Sequence, residues 1–380
     1  MEEDGHLPPS LHIDPPLFNS ANPWATTLEQ LRDLYRCTAT GAVTTRTALL
    51  EGFPHDEGVH RYAIFEAGTH RVSGGGEGKD GDRGNASLNT LGYSPIPLDG
   101  YLGFIRQIDE EVNTEERVEG EEKRLGKLGK RKPFIVSVTG TPDEVAECYR
   151  RVAWCAGEIG IPLAVEINLS CPNIPGKPPP AYEGEALRGY VRRVAEIVAE
   201  ERGKDGKGKG FAIPWGVKTP PYTHAGQFDM FVSALRDCAV SLSRKGDGGV
   251  PICPLAFVTA TNTLGSCLLL GGSGSENATK TEKTLSPVLP DLGIGGLAGA
   301  PLHPLALGNV ATLRRMLDAN TETRHVVVLG IGGVADVGGY KRMRSVGAAA
   351  VGVGTALGIR GLGVFGEIRD GLGGAWEREG

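Results

Sequence analysis

Residues 327–333 read VVLGIGG and residues 351–355 read VGVGT. Each is a short run of aliphatic and β-branched residues that stops on glycine. The runs are apolar at consecutive positions rather than alternate ones, the pattern of a strand covered on both faces, as in a parallel sheet. The terminal glycines allow a tight turn into a following helix and let backbone N–H groups come close to a ligand. The same unit recurs upstream. Strand candidates lie at 17–20, 42–47, 134–138, 163–168, 213–218 and 256–261, and the two stretches above contribute strands at 325–329 and 349–353. Amphipathic segments separate them. Val145, Tyr149, Val152, Ala156 and Ile159 recur at helical spacing over 142–159, and Leu187, Tyr190, Val191, Val194 and Val198 do so over 185–200. Eight such β/α units favour a closed (β/α)8 TIM barrel, an α/β fold, over an open doubly wound sheet.

The chain of 380 residues suits one large barrel with insertions, and 1–380 reads as a single domain. Four stretches interrupt the rhythm, at 73–85, 113–132, 203–210 and 271–283. They are Gly-rich or densely charged and lack the apolar content to pack, so they read as solvated surface insertions. The net charge is −6 with both signs interspersed, which argues against a nucleic-acid surface, since that needs a concentrated basic face. Seven cysteines occur without a C-x-x-C pair, so zinc and iron–sulfur sites find no support and no metal is expected. The N-terminus has no apolar signal core, and no stretch of about 18 apolar residues occurs. The expectation is a cytoplasmic protein with no membrane anchor.

Barrel chemistry sits at the C-terminal ends of the strands. Those ends carry Asn19 and Ser20, Arg46, Thr139 and Gly140, Asn168, Lys218, Asn262 and Thr263, Gly332 and Gly333, and Gly354 and Thr355. The glycine-rich ends of the last two strands match the place where barrels bind phosphate, although tight βα turns alone would also call for glycine. Residues 166–182 read EINLSCPNIPGKPPPAY, a strand followed by a Cys-bearing, Pro-rich loop. Cys171 is there either a buried inert thiol or a reactive one at a strand-end loop. Lys218 closes an apolar strand, either as a surface charge or as the partner of an anion inside the barrel mouth.

Together these segments resemble the dihydroorotate dehydrogenases, flavoenzymes of pyrimidine biosynthesis. The matching stretches are NLSCPNIPGKP (168–178), GVKTPPY (216–222), TNTLG (261–265), GIGG (293–296) followed by PLHPLALGNV (301–310), GIGGV (330–334) and VGTAL (353–357). The resemblance implies an FMN-binding barrel that oxidises dihydroorotate to orotate. It makes Cys171 the base that takes the substrate proton while flavin takes the hydride. It places Asn89, Asn168, Asn173 and Asn262 on the orotate ring and carboxylate, with Thr263 and the backbone at Leu91 and Gly92 completing that pocket. Lys218, Asn19, Ser20 and Asn168 would lie against the flavin, and Gly295, Gly296, Gly332, Gly333, Gly354 and Thr355 around its phosphate. Cys rather than Ser at the base position, and the I-P-G-K-P continuation, resemble the soluble single-gene type, which is homodimeric and uses fumarate as oxidant. Three positions depart from the family pattern. Arg46 stands where a Lys serves both flavin and orotate, Thr263 where Ser is usual, and Tyr93 where a smaller apolar residue is usual. Competing readings are a related FMN barrel acting on another pyrimidine, and a flavin-binding protein without turnover.

Overall fold

The structure, a computed structural model, describes residues 7–73, 84–118, 131–170, 179–204, 212–240, 251–273, 284–373 and 376. In chain order its first half runs β1 (Leu17–Asn19), α1 (Leu28–Arg36), β2 (Val43–Thr44), β3 (Tyr62–Phe65), β4 (Ala86–Asn89), α2 (Leu98–Val118), β5 (Phe134–Val138), α3 (Pro142–Glu158), β6 (Leu163–Asn168) and α4 (Gly184–Lys204). The second half runs β7 (Trp215–Thr219), α5 (Ala225–Asp237), β8 (Phe257–Ala260), β9 (Leu264–Leu268), β10 (Leu270–Ser273), β11 (Thr284–Pro287), β12 (Ile294–Gly299), α6 (His303–Asp318), β13 (Val327–Ile331), α7 (Val337–Ser345), β14 (Ala350–Val353), α8 (Thr355–Arg360) and α9 (Gly363–Gly371).

Eight strands form one parallel sheet in the order β1-β14-β13-β8-β7-β6-β5-β2. All eight expected strands are present, and the fold is the nearly closed barrel of the TIM type. Closure falls between β1 and β2. β2 is only two residues long, and the seam is made by a Phe18–Ala42 bridge, by Gly41 N–H donating to the Leu17 carbonyl at 2.8 Å, and by the side chain of Asn19. Its Nδ2 donates to the Thr44 carbonyl at 2.6 Å and its Oδ1 accepts from Thr44 N–H at 3.0 Å. One side-chain amide thus stands in for a rung of the β-ladder.

Alternation along the strands sorts the two faces. Val136, Val165, Val217, Val258, Val328 and Val351 belong to the large core shared with the helices. Phe18, Ala42, Ile135, Ala164, Phe257, Leu329 and Ala350 fill the barrel interior. One residue further along the inward face the interior turns polar, with Glu166 accepting from Ser137 Oγ at 2.9 Å. Helix starts follow local chemistry. Thr141 caps α3 in a capping box with Glu144, with Pro142 at the first helical position, and Thr27 and Gln30 do the same for α1. Among the described residues no helix is long and apolar enough to cross a membrane.

Several boundaries differ from expectation. Strand 42–47 shortens to Val43–Thr44 because Arg46 N–H turns away to the Ala25 carbonyl. Strand 325–329 moves to Val327–Ile331, while His325 Nε2 bonds the carbonyls of Cys253 and Leu255. The charged stretch 113–132 was expected not to pack, but 113–118 continue α2. That helix is held by Arg32–Glu111 and Arg131–Asp109 ion pairs. Residues 203–204 end α4, and 271–273 pair antiparallel with 284–286. The remainder of the four stretches lies outside the described residues, save 73, 84–85 beside β4 and 131–132 before β5. A second, antiparallel sheet in the order β3-β4-β12-β9 was not anticipated.

Beneath the barrel, Lys132 Nζ donates to the Cys37 carbonyl at 2.6 Å and to Thr40 Oγ1 at 3.0 Å. Burial pushes its pKa down to about 8. A lysine whose folded pKa lies below its unfolded value penalises the fold while charged. Between the two values the unfolded chain holds more protons, so stability rises with pH there. Between about pH 7.5 and pH 9.5, Lys132 is expected to contribute a rise of about 2 kcal/mol, which Lys132→Met should abolish. Urea midpoints of both proteins at the two pH values check this. Parallel pH trends would refute it.

Candidate active site

The C-terminal ends of the barrel strands open into a cavity of about 1000 Å³, its open mouth included. The second sheet forms part of its wall, with Ser87 and Asn89 from β4 and Ala298 and Gly299 from β12. Three kinds of surface meet there.

The first is an amide wall. Asn168 ends β6 and is 6% exposed. Its Nδ2 donates to Thr47 Oγ1 at 3.0 Å, and its Oδ1 accepts from Ser170 N–H, Ser170 Oγ and Asn262 Nδ2 at 3.2, 3.0 and 3.2 Å. Asn262 Nδ2 also donates to Ser170 Oγ at 3.0 Å, and its Oδ1 accepts from Thr263 N–H at 2.8 Å. Asn89 reaches the same cavity and donates to the Gly296 carbonyl at 3.1 Å. Mutual bonding fixes which way each amide points, so donors and acceptors are presented in a set order.

The second is a pair of cations. Lys218 ends the inward face of β7 at 4% exposure, and among the described residues its ammonium has no hydrogen-bond or ion-pair partner. Arg46 has one side-chain bond, from Nη2 to the Gly92 carbonyl at 3.5 Å, and no carboxylate beside it among the described residues. Burial pushes its pKa down, with Tyr101 opposing, yet a guanidinium stays charged. Nearby, burial and then the Arg46 charge push the His55 pKa down as well. A buried charge without a counter-charge is unfavourable by several kcal/mol, so two of them on one cavity indicate an anionic ligand.

The third is a glycine cradle. Gly332 and Gly333 have φ of 137° and 68°. A Cβ on Gly332 would meet Ala306 Cβ at 2.5 Å, one on Gly333 the Gly299 carbonyl at 2.6 Å, and one on Gly354 the Ser20 Oγ at 2.9 Å. At Gly332 and Gly333, where φ is positive as well, no side chain fits, and at Gly354 one would have to displace the Ser20 hydroxyl. Among the described residues the N–H groups of Gly333, Gly354 and Thr355 find no acceptor. Thr355 Oγ1 is bonded to Ser87 Oγ at 2.9 Å, which ties the second sheet to this turn. Convergent free N–H groups of this kind suit a phosphate.

The profile for dihydroorotate dehydrogenase matches residues 81–375. The chain belongs to the dihydroorotate dehydrogenase family. It is 28% identical over 362 residues to a dihydroorotate dehydrogenase (fumarate) of Trypanosoma cruzi, covering 94% of this chain and 88% of that one. It is 26% identical over 349 residues to a putative dihydroorotate dehydrogenase A (fumarate) of Streptococcus pyogenes, covering 92% and 85%. A solved structure of the enzyme from Eimeria tenella, in complex with ferulenol, shares the fold with a TM-score of 0.60 at 17% identity. The match covers 94% of this chain and 80% of that one.

Of the residues the sequence singled out, Ser20, Arg46, Asn89, Leu91, Gly92, Asn168, Lys218, Asn262, Thr263, Gly332, Gly333, Gly354 and Thr355 all line this one cavity of the dihydroorotate dehydrogenase barrel. Cys171 and Asn173 lie outside the described residues. Asn19 is placed elsewhere, its amide spent on the barrel seam. Gly295 and Gly296 sit within β12 opposite Cys267 and Asn89, and the glycine of that strand on the cavity is Gly299. Tyr93, singled out in the sequence as a departure beside the pocket, belongs to an aromatic rim of the cavity whose other members, Trp24 and Tyr62, sequence reasoning missed. Trp24 and Tyr62 meet edge to face at 5.5 Å between centroids, and Tyr93 does so with Phe53 at 5.8 Å. The Phe53 ring occupies the space a Cβ on Gly92 would need. Trp24 could have been noticed in FNSANPW, but Tyr62 carries no signal until β3 is known.

Proposed function

We propose that this chain is an FMN-dependent dihydroorotate dehydrogenase of the fumarate type that uses Cys171 as its base. The observation that carries the reading is the pairing, in one cavity, of an amide wall and two cations, with no anion beside them among the described residues, with a glycine cradle fit for a phosphate. Dihydroorotate is a cyclic ureide with a carboxylate, and an amide wall offers the donors and acceptors it needs. The residues also fit FMN. Gly332, Gly333, Gly354 and Thr355 would hold its phosphate, and Lys218 and Ser20 its ring and ribityl chain.

Bound FMN supplies a hydride acceptor. Everything else falls to the chain. Asn168, Asn262 and Asn89 orient the substrate ring, and Arg46 faces its carboxylate or the flavin carbonyls. Lys218, itself only 4% exposed, would hold positive charge where electron density accumulates. Ser170 is bonded through both N–H and Oγ to the amide wall, and Cys171 follows it directly in the chain. A thiol with a reference pKa of about 8.5 can remove a carbon-bound proton when part of it is thiolate.

Anaerobic mixing with dihydroorotate tests the reading. Rapid bleaching of the flavin's visible band, reversed by fumarate, is the expected result. Protein that purifies without flavin, or bleaches only with another dihydropyrimidine, would overturn it. Arg46→Lys is expected to keep turnover within about threefold of the parent or to raise it, since charge is kept and only the fork is lost. A loss of about a hundredfold would show that the bidentate geometry is used.

The soluble type further implies a cytoplasmic homodimer. Leu268, Leu285, Leu292 and Ile294 stand exposed on and beside the second sheet and its hairpin, a surface suited to a second copy. Light scattering in solution at twice the chain mass would support it. A monomer would count against it.

A further inference from the structure

Behind the glycine cradle lies a hydrogen-bond chain that no ligand contact requires. His303 opens α6 and is 7% exposed. Its Nδ1 lies 2.7 Å from the Gly332 carbonyl, and its Nε2 lies 3.1 Å from Arg342 Nε on α7. A guanidinium can only donate, so His303 Nε2 must accept, and the ring proton must sit on Nδ1 and be donated to the Gly332 carbonyl. Arg342 thereby selects the tautomer.

The Gly332 carbonyl and the Gly333 N–H belong to one trans peptide unit and point in opposite directions. Holding the carbonyl on His303 therefore fixes the direction of the N–H. That N–H has no acceptor among the described residues, and both glycines line the cavity. A peptide between two glycines is the kind that rotates most easily, because neither flanking residue has a Cβ to resist it. The rotated form would turn a carbonyl oxygen toward the cavity, where it would repel a phosphate. His303 is also packed against the turn, since a Cβ on Gly333 would meet His303 Cβ at 2.7 Å.

We propose that His303 and Arg342 are positioning residues for phosphate binding. They hold the Gly332–Gly333 peptide with its N–H toward the phosphate. This rests on the FMN reading above.

The test compares FMN with riboflavin, which differ only in the phosphate, by fluorescence titration of the full chain after its flavin has been dialysed away. The parent should prefer FMN. His303→Leu removes the donor and should weaken FMN at least about tenfold, the scale of one hydrogen bond to a charged or fixed group, while riboflavin affinity holds within about twofold. His303→Asn places an amide N–H at the same branch point and should recover most of the loss. Arg342→Leu, a change at an exposed position of α7, should give a smaller, FMN-specific loss by freeing the other tautomer. It carries the test if His303→Leu does not fold. An unchanged FMN-to-riboflavin ratio in the variants, or equal loss of both flavins, would overturn the proposal. A parent that binds neither flavin would instead sink the FMN reading itself.

Discussion

Cys171→Ala is expected to purify with FMN bound and yet to be reduced by dihydroorotate about 10²–10⁴ times more slowly than the parent, the usual contribution of a positioned general base. The proton on the substrate carbon is weakly acidic, and nothing in the described cavity can replace the thiolate. The asparagines and threonines of the wall have no basic form at neutral pH. Lys218 and Arg46 are cations that stabilise charge but do not accept a proton. Stopped-flow reduction of the two proteins decides the matter, and near-parent rates would remove Cys171 from the reaction. The pH dependence gives a second readout. The parent's reduction rate should climb with pH through the titration of the thiol, whereas the slow residual reaction of the variant should not follow it.

Lys218→Met should have the other large effect. The substitution keeps most of the side chain's volume and removes a charge that has no counter-ion among the described residues. Loss of that charge should make the bound flavin harder to reduce, because the reduced ring is anionic and would face an apolar surface. A spectroelectrochemical titration should move the midpoint potential in the negative direction. Reduction by dihydroorotate should slow by about 10²-fold or more, in line with removal of one preorganised, buried charge. FMN affinity should change much less than the rate, since the glycine cradle is untouched. An unchanged potential would place Lys218 away from the redox ring. As no buried anion is left behind, the variant is not expected to lose fold stability.

The barrel was readable because its strands declare themselves. A parallel strand buried on both faces is mostly apolar, and FIVSV, LAVEIN and VVLGI are, with polar residues only at Ser137, Glu166 and Asn168 toward their C-terminal ends. The second sheet was not readable for the converse reason. Its strands are short, three of the four carry several small or polar residues, and the pairing that makes them a sheet joins Asn89 to Gly296, 207 positions apart in the chain. The tetrapeptide GIGG shows the limit most clearly, since it occurs at 293–296 and at 330–333. The second copy follows an aliphatic strand and turns at its end, with positive φ at Gly332 and Gly333. The first follows a proline-bearing turn, and its last two glycines lie inside an antiparallel strand whose register to β9 shifts between Gly295 and Leu297. Local sequence makes both look like phosphate loops, and only the long-range register separates them. The charged stretch at 113–118 misled for a related reason. Its residues lack apolar content of their own, but they extend a helix already anchored upstream by Tyr101, Leu102 and Ile105. Lys218 and Arg46 were legible as cations at strand ends. That neither has a carboxylate near it among the described residues could be learned only from the packed structure.

The seam closed by Asn19 has a consequence for how the molecule responds to its ligands. β1 and β2 are the least firmly laced pair of staves, joined by one bridge, one backbone bond beside it and one side chain. Ser20 leaves β1 on one side of that gap and Arg46 leaves β2 on the other, and both border the cavity. A ligand touching both therefore works as a hoop around the weakest joint of the cask. Occupancy should register as slowed amide exchange at Leu17–Asn19 and Val43–Thr44 and as a raised melting temperature, by mass action on the closed form. Asn19→Ala should loosen the same joint and deepen the protein's dependence on bound flavin for its integrity.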